Sequence, residues 1–202
     1  AVDLVSAANG IRQHRGLDGS ILFDDELPET DVITATAVVD TGPVSAVRLE
    51  VLADDRLPQR GPGRVPNTGS FVLSEIRITA APADAPEQAT PVKIRRGRAD
   101  HEQPGKTVGA AFDGKDDTGW SVSPREGQSH QAVFEFDKPV VNPCGTILTI
   151  ALEQKFGTQH LLGRVRLSAA QGDVTGQRLV SPDSIVAAAR PGAAGDPQIH
   201  SA

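Results

Sequence analysis

The stretch AVFEFD, Ala132 to Asp137, sets Ala132, Phe134 and Phe136 against Val133, Glu135 and Asp137 in strict alternation. Successive side chains of a strand point to opposite faces, so this period of two predicts a strand with Ala132, Phe134 and Phe136 toward a core. The same pattern recurs at Val47, Leu49 and Val51 and at Leu148, Ile150 and Leu152. Further strands are predicted over Gly19 to Asp25, Asp31 to Val39, Phe71 to Ala81, Pro91 to Arg98, Gly119 to Val122 and Leu162 to Ala170. The twenty glycines and fifteen prolines fall largely between these runs, where they stop strands and set turns. Leu57 to Ser70, LPQRGPGRVPNTGS, reads as a long loop of this kind. About nine strands punctuated by turns predict an all-β fold, an antiparallel β-sandwich in which two sheets share one core.

Two segments carry helical signals. Thr107 to Phe112 predicts a single turn, and Ser184 to Arg190 follows Pro182 and Asp183 as a helix start. The expected organisation is one sandwich domain over 1–180, with a short helix and a loose tail or linker over 181–202. LSEIRITAA at Leu73 to Ala81 echoes LGRVRLSAA at Leu162 to Ala170, which suggests comparable places in opposed sheets. Glu75 in the first run stands where Arg164 stands in the second.

Charge and composition narrow the function classes. A chain of 202 residues with net charge −6 and pI near 5.3 lacks the basic face that a nucleic-acid partner requires. The one basic run, Lys93 to Arg98, is short and reads more simply as a solvated strand face. Cys144 is alone, so no internal disulfide forms and packing must hold the fold. No segment approaches the roughly 18 apolar residues of a membrane helix, and no membrane insertion is expected. The chain opens at Ala1-Val2-Asp3 without a charged-then-apolar leader, as a piece excised from a longer protein would.

No catalytic constellation is present: there is no GxSxG elbow, HExxH, phosphate loop or cysteine cluster, and no enzyme is expected. The five histidines are scattered, although His130 at the start of one strand and His160 before another could share a rim of the sandwich. Asp24-Asp25-Glu26 reads as a turn. The densest chemistry lies in AAFDGKDDTGWS, Ala110 to Ser121. An EF-hand is ruled out because Lys115 occupies the third loop position counted from Asp113. What remains is a set of hard oxygens on Asp113, Asp116, Asp117 and Thr118, with Gly114 and Gly119 free to turn backbone carbonyls inward. Such a loop is either a calcium site or an ordinary Asp-Gly turn.

The run A-A-F-D-G-K-D-D-T-G-W resembles the A-x-D-G-x-x-x-T-x-W signature of the galactose-binding-like sandwiches, the discoidin domains and related carbohydrate-binding modules. That resemblance implies a jelly-roll sandwich and a structural calcium ion held by Asp113, Thr118, an oxygen near Asp116, and Glu75 of LSEIRI. It also implies that Trp120 packs inward. The order of runs departs from the family, because RLEVL and LSEIRI precede the Asp-Gly-Trp loop instead of following it, as in a permuted domain. The chain is also similar, over DGSILFDDELPETDVITATAVV, VSAVRLEVLADDRLPQRGPGR, GSFVLSEIRITAAP, FDGKDDTGWSV and FGTQHLLGRVRLS, to a module of large secreted planctomycete-type proteins that carry cytochrome c segments. The implied role is a non-catalytic, calcium-stabilised carbohydrate-binding module that attaches an exported parent to polysaccharide and packs beside the parent's other domains. The alternative is a structural or protein-interaction spacer without a glycan ligand, which the low aromatic content of 3% favours. For a glycan, the expected contacts are polar rim residues, Arg125, His130, Gln159 and His160.

Overall fold

The computed structural model describes residues 4–7, 13–40, 42–172 and the single positions Val174, Leu179 and Pro182, with the backbone alone for 4–7. In chain order the strands are β1 (Leu4–Ala7), β2 (His14–Arg15), β3 (Ile21–Leu22), β4 (Asp31–Val39), β5 (Val44–Val51), β6 (Glu75–Pro82), β7 (Thr90–Pro91), β8 (Ile94–Ala99), β9 (His130–Val140), β10 (Thr146–Gln154) and β11 (Arg164–Gln171). They form two antiparallel sheets, a five-stranded one in the order β1-β4-β10-β6-β7 and a six-stranded one in the order β2-β3-β11-β5-β9-β8. The fold is therefore an all-β sandwich.

Alternation explains why the sheets close on each other. Ile33 and Ala35 of β4, Ile76 and Ile78 of β6, and Leu148, Ile150 and Leu152 of β10 turn inward from one sheet. Val47, Leu49 and Val51 of β5, Ala132, Phe134 and Phe136 of β9, and Val165 of β11 meet them from the other. Each fully buried Leu, Ile, Val or Phe contributes on the order of 1.5–3 kcal/mol of transfer free energy, so this shared core supplies the dominant favourable term. The inward set on β9 matches the alternation in AVFEFD. Its outward set is less exposed than alternation alone implies. Glu135 is sealed by Arg98 at 2.8 Å and Arg95 at 3.3 Å, and Val133 packs with Ala46 and Val174. This outward carboxylate and its guanidiniums cover the sheet by pairing rather than by facing water.

The strand predictions hold for Asp31 to Val39 and, within a few residues, for the runs that became β5, β6, β9, β10 and β11. Pro91 to Arg98 divides into β7 and β8. Gly19 to Asp25 contracts to the two residues of β3, because Gly16 to Ser20 are taken up by a turn closed by Gly19 N–H to Gly16 O. Gly119 to Val122 is no strand; Trp120 makes one isolated antiparallel bridge, to Leu73. Thr107 to Phe112 forms a 3-10 turn over Val108–Phe112. The two echoed runs, β6 and β11, do lie in opposite sheets. Ser184 to Arg190 and the boundary at 180/181 lie outside the described residues.

Strand ends decide where chemistry can gather. Registers Glu75 to Glu153, Asp31 to Gln154, Val51 to His130 and Leu22 to Arg164 bring these termini to one end of the sandwich. The connections 23–30, 52–74, 100–129 and 155–163 all cross that end, whereas 83–93 and 141–145 turn at the other. On its side away from β5, β11 is paired among the described residues only through Arg164 and Val165, with β3. One edge strand of the six-stranded sheet, β8, carries Arg95, Arg96 and Arg98.

Candidate functional site

The long-loop end is fastened across its own connections. Leu73 and Trp120 exchange two backbone hydrogen bonds, 2.9 and 3.0 Å, which dock loop 100–129 on loop 52–74. This bridge requires glycine before Trp120: Gly119 has φ 152°, and a Cβ there would lie 2.4 Å from the Leu73 carbonyl oxygen. Ser74 Oγ accepts the N–H groups of Lys155 and Phe156, each at 2.9 Å. Val72 N–H reaches the His160 carbonyl at 3.1 Å. Arg64, 4% exposed, donates to the backbone carbonyls of Asp25 and Glu26 and thereby ties loop 23–30 to loop 52–74. Burial pulls its guanidinium below the ordinary value against the fields of Asp31, Asp24 and Asp25. The 14-residue run that read as a plain loop is thus internally packed, with Gly61 to Arg64 buried.

Trp120 is fully buried, edge-on to Phe71 at 5.3 Å, with Nε1–H donating to the His101 carbonyl at 3.0 Å. It is a core residue under the loop and offers no face to a ligand. Directly after the 3-10 turn, the Asp113 carboxylate receives the Lys115 N–H at 3.0 Å. Thr118 Oγ1 lies 2.9 and 3.1 Å from the two Asp113 carboxylate oxygens, 3.4 Å from the Ala110 carbonyl and 3.3 Å from the Lys115 carbonyl. One hydroxyl hydrogen can satisfy only one of four acceptors well, so the loop concentrates oxygen beyond its own supply of donors.

Glu75 sits beneath this loop at the start of β6. Its carboxylate, 3% exposed as a residue, accepts the Gly114 N–H at 2.7 Å rather than joining the oxygens around Thr118. Burial pushes the Glu75 carboxyl up; the N–H groups of Gly114 and Lys115 and the charge of Arg77 oppose that rise, and Asp113 reinforces it. Asp116 points elsewhere, toward Lys155 Nζ at 3.4 Å, and Lys155 continues to Glu153 at 2.7 Å and thence to Arg77 at 2.5 Å. Burial works against ionisation of Glu153, but Lys155 and Arg77 outweigh it and hold this carboxyl below its ordinary value.

The donor set fits calcium in kind. Asp113, Thr118 and the Ala110 and Lys115 carbonyls are hard oxygens on a flexible loop, and waters can complete the six to eight that calcium accepts. Asp113 would hold the ion, with Thr118 and the two carbonyls around it and Glu75 supplying a second negative charge from below. Among the described residues no group of three or more His, Cys, Asp or Glu side chains converges on one point, so backbone oxygens would carry much of the coordination.

The four polar rim residues have different fates. His130 is 1% exposed, with Nδ1 3.0 Å from Asp100 Oδ2 and Nε2 3.1 Å from the Arg125 carbonyl, so it fastens loop 100–129 and meets no ligand. Sequence placed it at a rim because it opens a strand; the long connection before it folds back over that strand end. Arg125 is exposed beside it, and burial together with the Arg125 and His130 charges lowers the proton affinity of the neighbouring His101. Gln159 has φ 62° and is turned inward, its N–H to the Glu29 carbonyl at 2.8 Å and its amide to the Leu27 carbonyl at 3.2 Å. His160 is half-buried, with Nδ1 3.0 Å from the Thr158 carbonyl.

Two residues join His160 that sequence reasoning passed over. Phe156 meets the His160 ring edge-to-face at 5.4 Å, and Lys106 places its Nζ 3.8 Å from the Phe156 centroid. Among the described residues Phe156 is the aromatic ring that stays outside the core cluster. The available signal was its position: a phenylalanine just past the end of a strand and just before Gly157 has left the alternation that would bury it. No family model, curated protein or solved structure matches the chain.

Proposed function

We propose that this domain is a non-catalytic carbohydrate-binding module of galactose-binding-like, jelly-roll type with permuted strand order, whose long-loop end carries a structural calcium site and the glycan surface. The observation that carries the reading is the Asp113 loop, where Thr118 gathers four oxygens over Glu75 while Trp120 packs inward. Calcium would neutralise the crowded oxygens and fix the loop that borders the exposed surface, adding stability according to its free concentration. Phe156, His160 and Lys106 supply the glycan surface, with Arg125 and the Gln159 loop beside or behind it. Phe156 provides the apolar ring that sugar C–H faces prefer. The parent is an exported protein, and the module tethers it to polysaccharide alongside its other domains.

The test is a glycan panel, including acidic and algal polysaccharides, run with and without calcium. Binding is expected for at least one polysaccharide and is lost in Phe156→Ala at unchanged melting temperature. A second reading, a spacer or protein-interaction domain with no glycan ligand, is favoured by the burial of Trp120 and His130, which leaves so little aromatic surface at this end. Silence across the panel would replace the first reading by the second.

A further inference from the structure

We infer that the opposite end of the sandwich holds an anion-binding groove whose ligand is a carboxylated or sulfated polysaccharide. A cavity of about 440 Å³ opens between the β7–β8 connection and the distal half of β9, lined among others by Pro91, Lys93, Asp137, Lys138, Pro139 and Val141. It is independent of the Asp113 loop, since Thr90–Pro91 pairs with the far half of β6 and Lys138 lies near the far end of β9.

The cations of this chain divide by what they touch. Arg77, Arg95, Arg98, Arg164 and Arg166 are each bonded to a carboxylate. Lys93, Lys138 and Arg96 on the adjoining strand are exposed and, among the described residues, take part in no ion pair. In a protein of net charge −6, three such cations on one edge run against the overall sign. Asp137 is the sole acid lining the groove. The local balance is therefore positive, and a polyanion would gain from several contacts at once.

The walls favour a saccharide over a peptide. Pro91 and Pro139 have no N–H to offer, while the N–H groups of Val92 and Asp137 are spent on the Ile78 and Lys93 carbonyls at 2.8 Å each. An incoming peptide strand would meet two prolines and two N–H groups already engaged. A sugar ring can lay its C–H face on the prolines and Val141, which is 58% exposed, while Lys93 and Lys138, both lining the cavity, offer ammonium groups to its acid groups.

Titration calorimetry of the intact chain with polygalacturonate and with a sulfated glycan tests this. Binding is expected to weaken steeply with added salt, and the Lys93→Glu, Lys138→Glu double variant to lose at least tenfold in affinity with its melting temperature unchanged. Asp113→Ala and Phe156→Ala are expected to leave the interaction intact, which separates this groove from the long-loop surface. Unchanged affinity after the double charge reversal would overturn the groove. Equal affinity for polyglutamate would overturn the saccharide assignment and leave a site for acidic chains of any kind.

Discussion

The two ends of the sandwich are built from the same strands and differ in nearly everything else. At one end, four connections, two of them the long ones over 52–74 and 100–129, interlock through backbone bonds and present oxygens, crowded around Thr118 and Asp113. At the other, shorter connections present ammonium groups beside prolines. Long connections can bury a tryptophan and a guanidinium beneath themselves and so become rigid; short ones leave their side chains in water. The difference teaches that order in a loop is bought with core-like packing, not with brevity.

Trp120→Ala should do the most damage. It empties a fully buried site, which costs about 3–5 kcal/mol by analogy with other buried aromatics, read by urea unfolding. A loss under about 1 kcal/mol would mean that the long-loop end stands on its backbone bonds alone. Calcium comes next: at a concentration a hundredfold above its dissociation constant it should stabilise the wild type by about 2.7 kcal/mol, and Asp113→Ala should show no such rise in melting temperature. If chelator leaves wild type unmoved, the oxygens around Thr118 belong to an ordinary turn.

The carboxylates under this end give a pH signature of opposite signs. Glu153 is held below its ordinary value, so its contribution is present above the unfolded pKa and is lost as pH falls through the folded one. Glu75 is raised, so the folded state holds its proton longer than the unfolded chain and stability falls as pH rises through the carboxylate range into the folded pKa. Glu153→Gln should lower stability at pH 7 by about 1–2 kcal/mol through weaker bonds to Arg77 and Lys155. Glu75→Gln should be neutral or mildly stabilising in calcium-free buffer, because an amide oxygen can still accept the Gly114 N–H without the cost of a buried charge. A clear loss in that buffer would show that the charge itself holds the loop. At the opposite end Val141→Ser should change stability by no more than about 0.5 kcal/mol.

Period-two patterning in runs such as AVFEFD and Asp31 to Val39 made the two sheets legible, since an inward face needs apolar side chains at every second position. The Gly19 to Asp25 run overreached because only Ile21 and Leu22 enter a ladder, and the Gly119 to Val122 run misled because Trp120 and Val122 are buried beneath a loop with one isolated bridge; composition alone does not separate these cases from a full strand. The resemblance set Glu75 beside the Asp113 loop as an oxygen ligand; the structure has it accept the Gly114 N–H under that loop, a role that the run LSEIRI does not encode. His130 was not legible as a core residue: its burial depends on Asp100 and Arg125, supplied by a connection whose path no local pattern encodes. The contact of Phe156 with Lys106 was missed for the same reason, since it joins two different loops, even though the place of Phe156 past its strand marked it as leaving the core pattern.

The arginines of β8 also bear on how the protein behaves in concentrated solution. β8 lies at one edge of the six-stranded sheet and carries Arg95, Arg96 and Arg98. Charged side chains along an edge strand oppose its pairing with a second sheet, so replacing Arg95 and Arg96 by Thr should lower the solubility ceiling.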